Sequence, residues 1–295
     1  MTPTQASWKA AFRPSSAGLW SSPRIWPGHG KFWPRPKSST PAAAPLPEPD
    51  SGISRDRLLG GRVTILQPAG GYRTAIDPIL LAAAVPAQPG ETILDAGSGT
   101  GAAALALAAR IEGVHVVGLD LEPGFIGLAA KSAEESGLSQ SIRFVEGDLL
   151  SPPADLTPGG FDHVMANPPY LAAASGNPSP DAARRAATVE SGARLDDWLR
   201  FIMTMARAGG TVTVIHRYDR KDEVVEGLAK GAGGAKVFPL WPKKAGEGAK
   251  RVIIQARKGE AGKTRIAKGL VLHNDDGSYT PEAEAILRDA GPLTL

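Results

Sequence analysis

Four short aliphatic runs constrain this chain more than any other feature. They are Thr92-Ile93-Leu94, Val114 to Leu119, Ile142 to Val145 and Phe161 to Ala166. Runs rich in Val, Ile and Leu, without strict polar alternation, read as parallel strands buried on both faces. Residues 102–111 and 124–136 lie between the first three runs and read as helices. A β-α-β-α order of this kind predicts an α/β sheet, mostly parallel, with helices on both faces. In such a sheet a ligand binds beyond the carboxyl ends of the strands, where the strand order reverses. The residues that follow each run are therefore the candidate site.

The first run leads into Asp95-Ala96-Gly97-Ser98-Gly99-Thr100-Gly101, the second ends at Asp120, and the third leads to Glu146-Gly147-Asp148. Glycines at the end of a strand let the backbone approach a ligand closely, because no Cβ intervenes. The helix that follows points its N-terminal amides at the same place. The loop alone leaves two readings open. Gly97-x-Gly99-x-x-Ala102 also satisfies the dinucleotide-binding fingerprint, with Asp120 about where a ribose-binding acid is expected.

The fourth run closes on Asn167-Pro168-Pro169-Tyr170. Two prolines after a strand remove two ladder donors and fix φ near about −65° twice, so they terminate the strand. That role does not explain an amide on one side of them and an aromatic ring on the other. An exocyclic amine conjugated to a planar system is a poor nucleophile, because its lone pair is delocalised. Two acceptors aimed at its hydrogens, the Asn167 side-chain oxygen and the Pro168 carbonyl, favour a pyramidal nitrogen and localise that pair. The prolines fix the direction of the carbonyl, and the Tyr170 ring is placed to stack on a flat substrate.

Glycine loop, acidic strand ends and Asn-Pro-Pro-Tyr, in that order, resemble the S-adenosylmethionine-dependent methyltransferases that act on a planar, conjugated amino group. The resemblance implies a Rossmann-like seven-stranded sheet whose last strand is antiparallel. It implies that Asp95 with Gly97, Gly99 and Gly101 holds the methionine part of S-adenosylmethionine. Asp120 would take the ribose hydroxyls and Asp148 would lie near the adenine, with Asn167, Pro168 and Tyr170 catalytic. Upstream, Gly71-Tyr72-Arg73, Asp77-Pro78 and Leu80-Leu81 precede the first core strand, and Arg257-Lys258-Gly259 ends the last. Together these look like the bacterial adenine-N6 methyltransferases of the anticodon loop of a valine tRNA, from about residue 58 onward. The same four-residue motif occurs in enzymes that methylate a glutamine amide of release factors and in DNA adenine-N6 enzymes. The first of these carry a larger helical domain in front of the core, and the second usually need a sizeable target-recognition domain. Neither is visible in this sequence. A non-catalytic fold that binds RNA is a further alternative, against which the intact motifs weigh.

Composition narrows the chemistry. The chain of 295 residues has no cysteine, which rules out a thiolate nucleophile and a Cys-ligated zinc. Its five histidines show no metal-ligand spacing, so no metal is expected. No run of 18 apolar residues is present, so no membrane partner is expected, and a cytoplasmic monomer is the expectation. Charge is unevenly spread. The net +3 of the chain divides into +4 over residues 1–50, +8 over residues 236–268, and −9 elsewhere. A basic excess of that size is what a phosphate backbone would select, and a solvated hairpin end is the plainer alternative. Lys243, Lys244, Lys250 and Arg251 are the candidate RNA contacts there. Tyr72, Arg73, Asp77 and Tyr170, with Arg184 and Arg185 from the loop after the motif, complete the candidate substrate set.

Residues 1–50 hold ten prolines and show no sustained periodicity, so they read as a disordered or mis-assigned tail ahead of a domain spanning 51–295. Gly61 to Gln67 reads as a hairpin strand. Asp77 reads as a helix cap with Pro78 at the first helical position. After the motif the pattern predicts a helix over 195–208, a strand over Thr211 to Ile215, a helix over Lys221 to Lys230, and a terminal hairpin of Lys236 to Leu240 with Arg251 to Gln255.

Overall fold

The computed structural model describes residues 52–70, 73–170 and 192–295. The tail expectation for residues 1–50 and the candidate residues Tyr72, Arg184 and Arg185 lie outside them. The described chain starts with an antiparallel hairpin, β1 (Ile53–Leu58) and β2 (Val63–Pro68), followed by α1 (Asp77–Ala84). The core continues as β3 (Thr92–Ala96), α2 (Ala102–Arg110), β4 (His115–Asp120), α3 (Pro123–Glu135), β5 (Ile142–Glu146) and β6 (Phe161–Ala166). Then come α4 (Leu195–Met205), β7 (Ala206–Arg217), α5 (Lys221–Ala229), β8 (Ala232–Trp241) and β9 (Arg251–Lys258). The short strands β10 (Arg265–Ile266) and β11 (Leu270–Val271) and the helix α6 (Pro281–Leu287) complete it.

One sheet runs β10-β8-β9-β7-β6-β3-β4-β5, with β11 also paired to β8. Seven long strands form the expected sheet. Among the described residues, the only antiparallel pairings in it are those β9 makes with β7 and β8. The chain lays β4 and β5 on one side of β3 and then returns to lay β6 on the other. The reversal therefore falls between β3 and β6, which brings the glycine loop and Asn-Pro-Pro-Tyr side by side. Alternation along each strand divides the core in two. Ile93, Val116 and Ile253 join the layer of α1, α2 and α6, whereas Leu94, Val117 and Ile254 join that of α4 and α5. Both sets are almost wholly buried, which is why these strands carry aliphatic residues on both faces.

The hairpin strand expected over 61–67 is present as β2, and charge obscured its partner β1, in which exposed Arg55 and Arg57 alternate with half-buried Ser54, Asp56 and Leu58. Three other expectations need correction. Asp77 does not cap α1. Ile76 occupies the cap position, Asp77 opens the helix with Pro78 behind it, and the carboxylate is engaged elsewhere. The helix predicted over 195–208 ends at Met205, because Ala206 already pairs with Phe161 and starts β7 ahead of a bulge. The apolar stripe Leu195, Trp198, Leu199, Ile202 and Met205 fits that shorter span at helical spacing. Finally, the hairpin of β8 and β9 is not terminal. Two further short strands add to β8, and α6 packs back on α1.

Candidate active site

The glycine loop leaves β3 with three residues in left-handed backbone, Gly97 at φ 70°, Gly99 at 55° and Gly101 at 87°. The amides of Gly97 and Ser98 donate to the Leu119 carbonyl at 2.8 and 2.9 Å, which ties the loop to the end of β4. A Cβ on Gly97 would overlap the ring of Trp198, which α4 packs beneath the loop. At Gly99 a Cβ would meet nothing within 4 Å, so this part of the loop faces open space where a ligand backbone or ribose fits.

Two aspartates hold the loop from different sides. Asp120 Oδ2 accepts the Gly99 amide at 2.7 Å and its Oδ1 accepts that of Glu122 at 3.0 Å. Burial raises the pKa of Asp120, and these backbone donors oppose the rise. Asp95 is 2% exposed and accepts the Ala104 amide at 3.1 Å. Burial pushes its pKa from 3.8 to about 7, with the Ala104 amide opposing and the Asp120 charge adding to the shift. Asp95 thus sits under the loop at the first turn of α2, whereas Asp120 reaches its rim. Asp148 forms the turn after β5, accepting the Leu150 amide at 2.8 Å. Sequence reasoning missed Leu121 and Leu150, which are 66% and 44% exposed near these acids. A large apolar residue one position after Asp120 and two after Asp148 was the available signal.

Beyond β6, Tyr170 is the centre of a polar cluster. Its hydroxyl lies 2.6 Å from Asp77 Oδ2 and 2.7 Å from the Asn167 side-chain amide. Arg251 Nε donates to the same Asp77 oxygen at 2.8 Å, and its guanidinium lies 4.2 Å from the centre of the Tyr170 ring. Burial works against the charge on Arg251. Asp77, and then Tyr170, outweigh it and hold its pKa above the ordinary value. The start of α1, the segment after β6 and the start of β9 thus meet at one point through four side chains from three segments remote in sequence. Arg251 covers one face of the Tyr170 ring, so stacking on a flat substrate, as expected, would use the other.

His216, near the end of β7, was not foreseen. Its ring meets Tyr170 edge-on with centroids 5.5 Å apart and planes at 88°. The residue is fully buried, and among the described residues neither ring nitrogen makes a hydrogen bond of good geometry, although the backbone of Pro169 and Arg217 lies close to the ring. Burial, then the nearby Arg220 cation, push its pKa down to about 4, while the backbone of Pro169 and Arg217 opposes the shift. His216 stands just beyond the strand expected over Thr211 to Ile215, next to Arg217, and nothing in the sequence singled it out. Only the packing of β7 under the Asn-Pro-Pro-Tyr segment encloses it.

The basic stretch 236–268 is not one surface. β8 and β9 are antiparallel, so their connection lies at the site end of the sheet and Lys258 at the other. At the site end, Lys244 pairs with Glu247 at 2.6 Å, Lys243 donates to the Asp275 carbonyl at 3.2 Å, and Lys250 is exposed beside Arg251. At the far end Arg257 and Lys258 donate to the Gly209 and Ala206 carbonyls, which is structural work. Arg73 pairs with Asp56 of the hairpin at 2.8 Å and does not join the Tyr170 cluster. Among the described residues no group of three His, Asp or Glu could hold a metal, and no helix is long and apolar enough to cross a membrane.

Comparison with known proteins agrees with this geometry. Residues 93–189 match the family model described as "Methyltransferase domain". A release factor glutamine methyltransferase of Chlorobaculum tepidum is 39% identical over 93 residues, 31% of this chain and 32% of its own length. The chain thus spans about a third of that relative's length. A tRNA1(Val) (adenine(37)-N6)-methyltransferase of Actinobacillus pleuropneumoniae is 27% identical over 206 residues, which is 69% of this chain and 84% of that protein. A solved structure, a predicted O-methyltransferase from Agrobacterium tumefaciens, superposes with a TM-score of 0.62 at 24% identity, covering 74% of this chain and 99% of that one. These matches favour the methyltransferase reading of the glycine fingerprint over the dinucleotide one: residues 93–189 match a methyltransferase domain, and the chain shares the fold of a solved, predicted O-methyltransferase.

Proposed function

We propose that this chain methylates the exocyclic N6 amine of an adenine in a tRNA anticodon loop. The observation that carries this is the placement of Asn167 and Tyr170 beyond β6, one strand from the glycine loop, with Arg251 and Lys250 at the same end of the sheet. S-adenosylmethionine supplies an electrophilic methyl group on a sulfonium. Asp120 and the Gly99 backbone would hold its ribose, Leu121 and Leu150 its adenine, and Asp95 the shape of the loop beneath its methionine part. Asn167 and the Pro168 carbonyl accept the two hydrogens of the substrate amine and concentrate its lone pair on nitrogen. That pair would be free to take the methyl carbon that S-adenosylmethionine supplies, with the carbon–sulfur electrons left on sulfur, and the cationic amine would then lose a proton to water. Binding at an unpaired loop adenine costs less than extruding one from a duplex.

The extent of the tRNA1(Val) relative supports this substrate, since that match covers 84% of the relative's length. A second reading, methylation of a release-factor glutamine amide, is favoured by the higher but shorter identity of the other relatives. The chemistry at nitrogen is the same, so the site residues do not separate them. Incubation with radiolabelled S-adenosylmethionine and either bulk tRNA or release factor does. Label in tRNA, lost in Asn167→Ala with cofactor affinity retained, is the expected result. Label in release factor alone would replace the first reading by the second.

A further inference from the structure

Tyr170 has one hydroxyl proton, and among the described residues two acceptors lie within reach of it. Its oxygen is 2.6 Å from Asp77 Oδ2 and 2.7 Å from the Asn167 amide. A phenol donates a single hydrogen bond and accepts others. A carboxylate is a stronger acceptor than an amide oxygen, so the proton lies toward Asp77. The hydroxyl can then meet Asn167 only as an acceptor. The two ends of a side-chain amide have the same shape and are told apart by their hydrogen bonds. As placed, Oδ1 faces the Tyr170 hydroxyl; the count of donors requires Nδ2 at that end instead, which turns Oδ1 away from the cluster.

We infer that Asp77 is a positioning residue: through the Tyr170 hydroxyl it fixes which end of Asn167 is offered to the substrate. The inference rests on the reading of Asn167 as the acceptor for a substrate amine. Without Asp77 the hydroxyl would donate to Oδ1, and the amide would present two hydrogens to an amine that also carries hydrogens. Arg251 strengthens the arrangement. Its Nε donates to the same Asp77 oxygen at 2.8 Å, and its guanidinium over the ring holds the phenol in place. This also accounts for the failure of Asp77 as a cap: a carboxylate facing α1's own amides could not reach Tyr170. The competing explanation is structural, an Asp77–Arg251 ion pair that only fastens α1 to β9.

The first test does not need a substrate. The chain has three asparagines, so in a nitrogen-15 spectrum of the full chain Asn167→Ala identifies the Asn167 side-chain amide signal. Its protons should exchange with water slowly in the wild type, and at least about tenfold faster in Tyr170→Phe and Asp77→Ala, since both changes remove the acceptor of Nδ2. Tyr170→Phe keeps the ring and carries the test by itself should Asp77→Ala fail to fold. Equal exchange in the wild type and Tyr170→Phe would overturn the inference.

The second test uses whichever substrate the wild type methylates. Tyr170→Phe and Asp77→Ala should each lower kcat by roughly 10–100-fold, less than outright loss of a transition-state group. The double variant should be no worse than the poorer single one, because both act on one atom. Effects that multiply would make Asp77 merely structural. Should release factor be the substrate, the tRNA reading falls and this cycle still applies. Should Asn167→Ala retain turnover, the amine reading fails, which the exchange experiment shows separately from the orientation of the amide.

Discussion

Asp95→Asn should remove a pH-dependent cost from the folded state. The wild-type carboxyl is 2% exposed and titrates at about 7 when folded, against 3.8 when unfolded. A carboxyl with a raised folded pKa contributes stability that is fully present below the unfolded value and lost as pH rises through the folded one. Between these limits the native state binds the extra proton, so stability falls with rising pH. Linkage gives a cost of about 2 kcal/mol at pH 5 and about 4 kcal/mol at pH 8. The uncharged amide is free of this pH dependence, and its oxygen can still accept the Ala104 amide. The variant need not be more stable at every pH, because its NH2 group needs a partner that the carboxyl did not. The difference between variant and wild type is the diagnostic: it should move in the variant's favour by about 2 kcal/mol from pH 5 to pH 8, or roughly 4–8 °C in thermal midpoint. Calorimetric melts of both proteins across pH 5–8, without cofactor, measure it. A difference in midpoint that stays constant across this range would contradict this account, and with it the buried state of the carboxyl. The same variant should bind S-adenosylmethionine more weakly, a trade of function for stability.

Three further outcomes follow from the site. His216 has a folded pKa of about 4, below its ordinary 6.5, so its contribution is present above 6.5 and lost as pH falls toward 4; His216→Phe should flatten the acid limb of the stability profile in urea melts between these values. Gly97→Ala places a Cβ against Trp198 in left-handed backbone, and should cost about 2–5 kcal/mol from strain and overpacking together, read from the urea midpoint. Replacing Lys243, Lys244 and Lys250 by Ala should flatten the salt dependence of tRNA binding by about 0.7 in log–log slope for each phosphate that the lysines neutralise, with cofactor affinity unchanged in calorimetry. An unaltered slope would leave these lysines as a solvated connection between β8 and β9.

The sheet and the ends of its strands were legible in chain order alone. Val, Ile and Leu runs buried on both faces leave little choice but parallel strands between helices, and Gly97, Gly99, Asp120 and Asn167 each stand at or just after the end of such a run. Ligand-facing residues at strand ends are legible because chain order places them there, whatever the packing. Their surroundings came only with the packing. Asp77 looked like a helix cap because a carboxylate beside Pro at a helix start commonly is one. It faces Tyr170 and Arg251 only because β6 and β9 end against α1, at separations of 93 and 174 residues. Arg251 read as a candidate RNA contact among ten basic residues over 236–268, and the antiparallel run of β9 divided that stretch between the two ends of the sheet. His216 carried no signal, since burial of a polar ring at a strand end depends on what is laid over it. Local pattern fixes where a backbone goes, whereas hydrogen bonds between distant side chains exist only once the strands have taken their order.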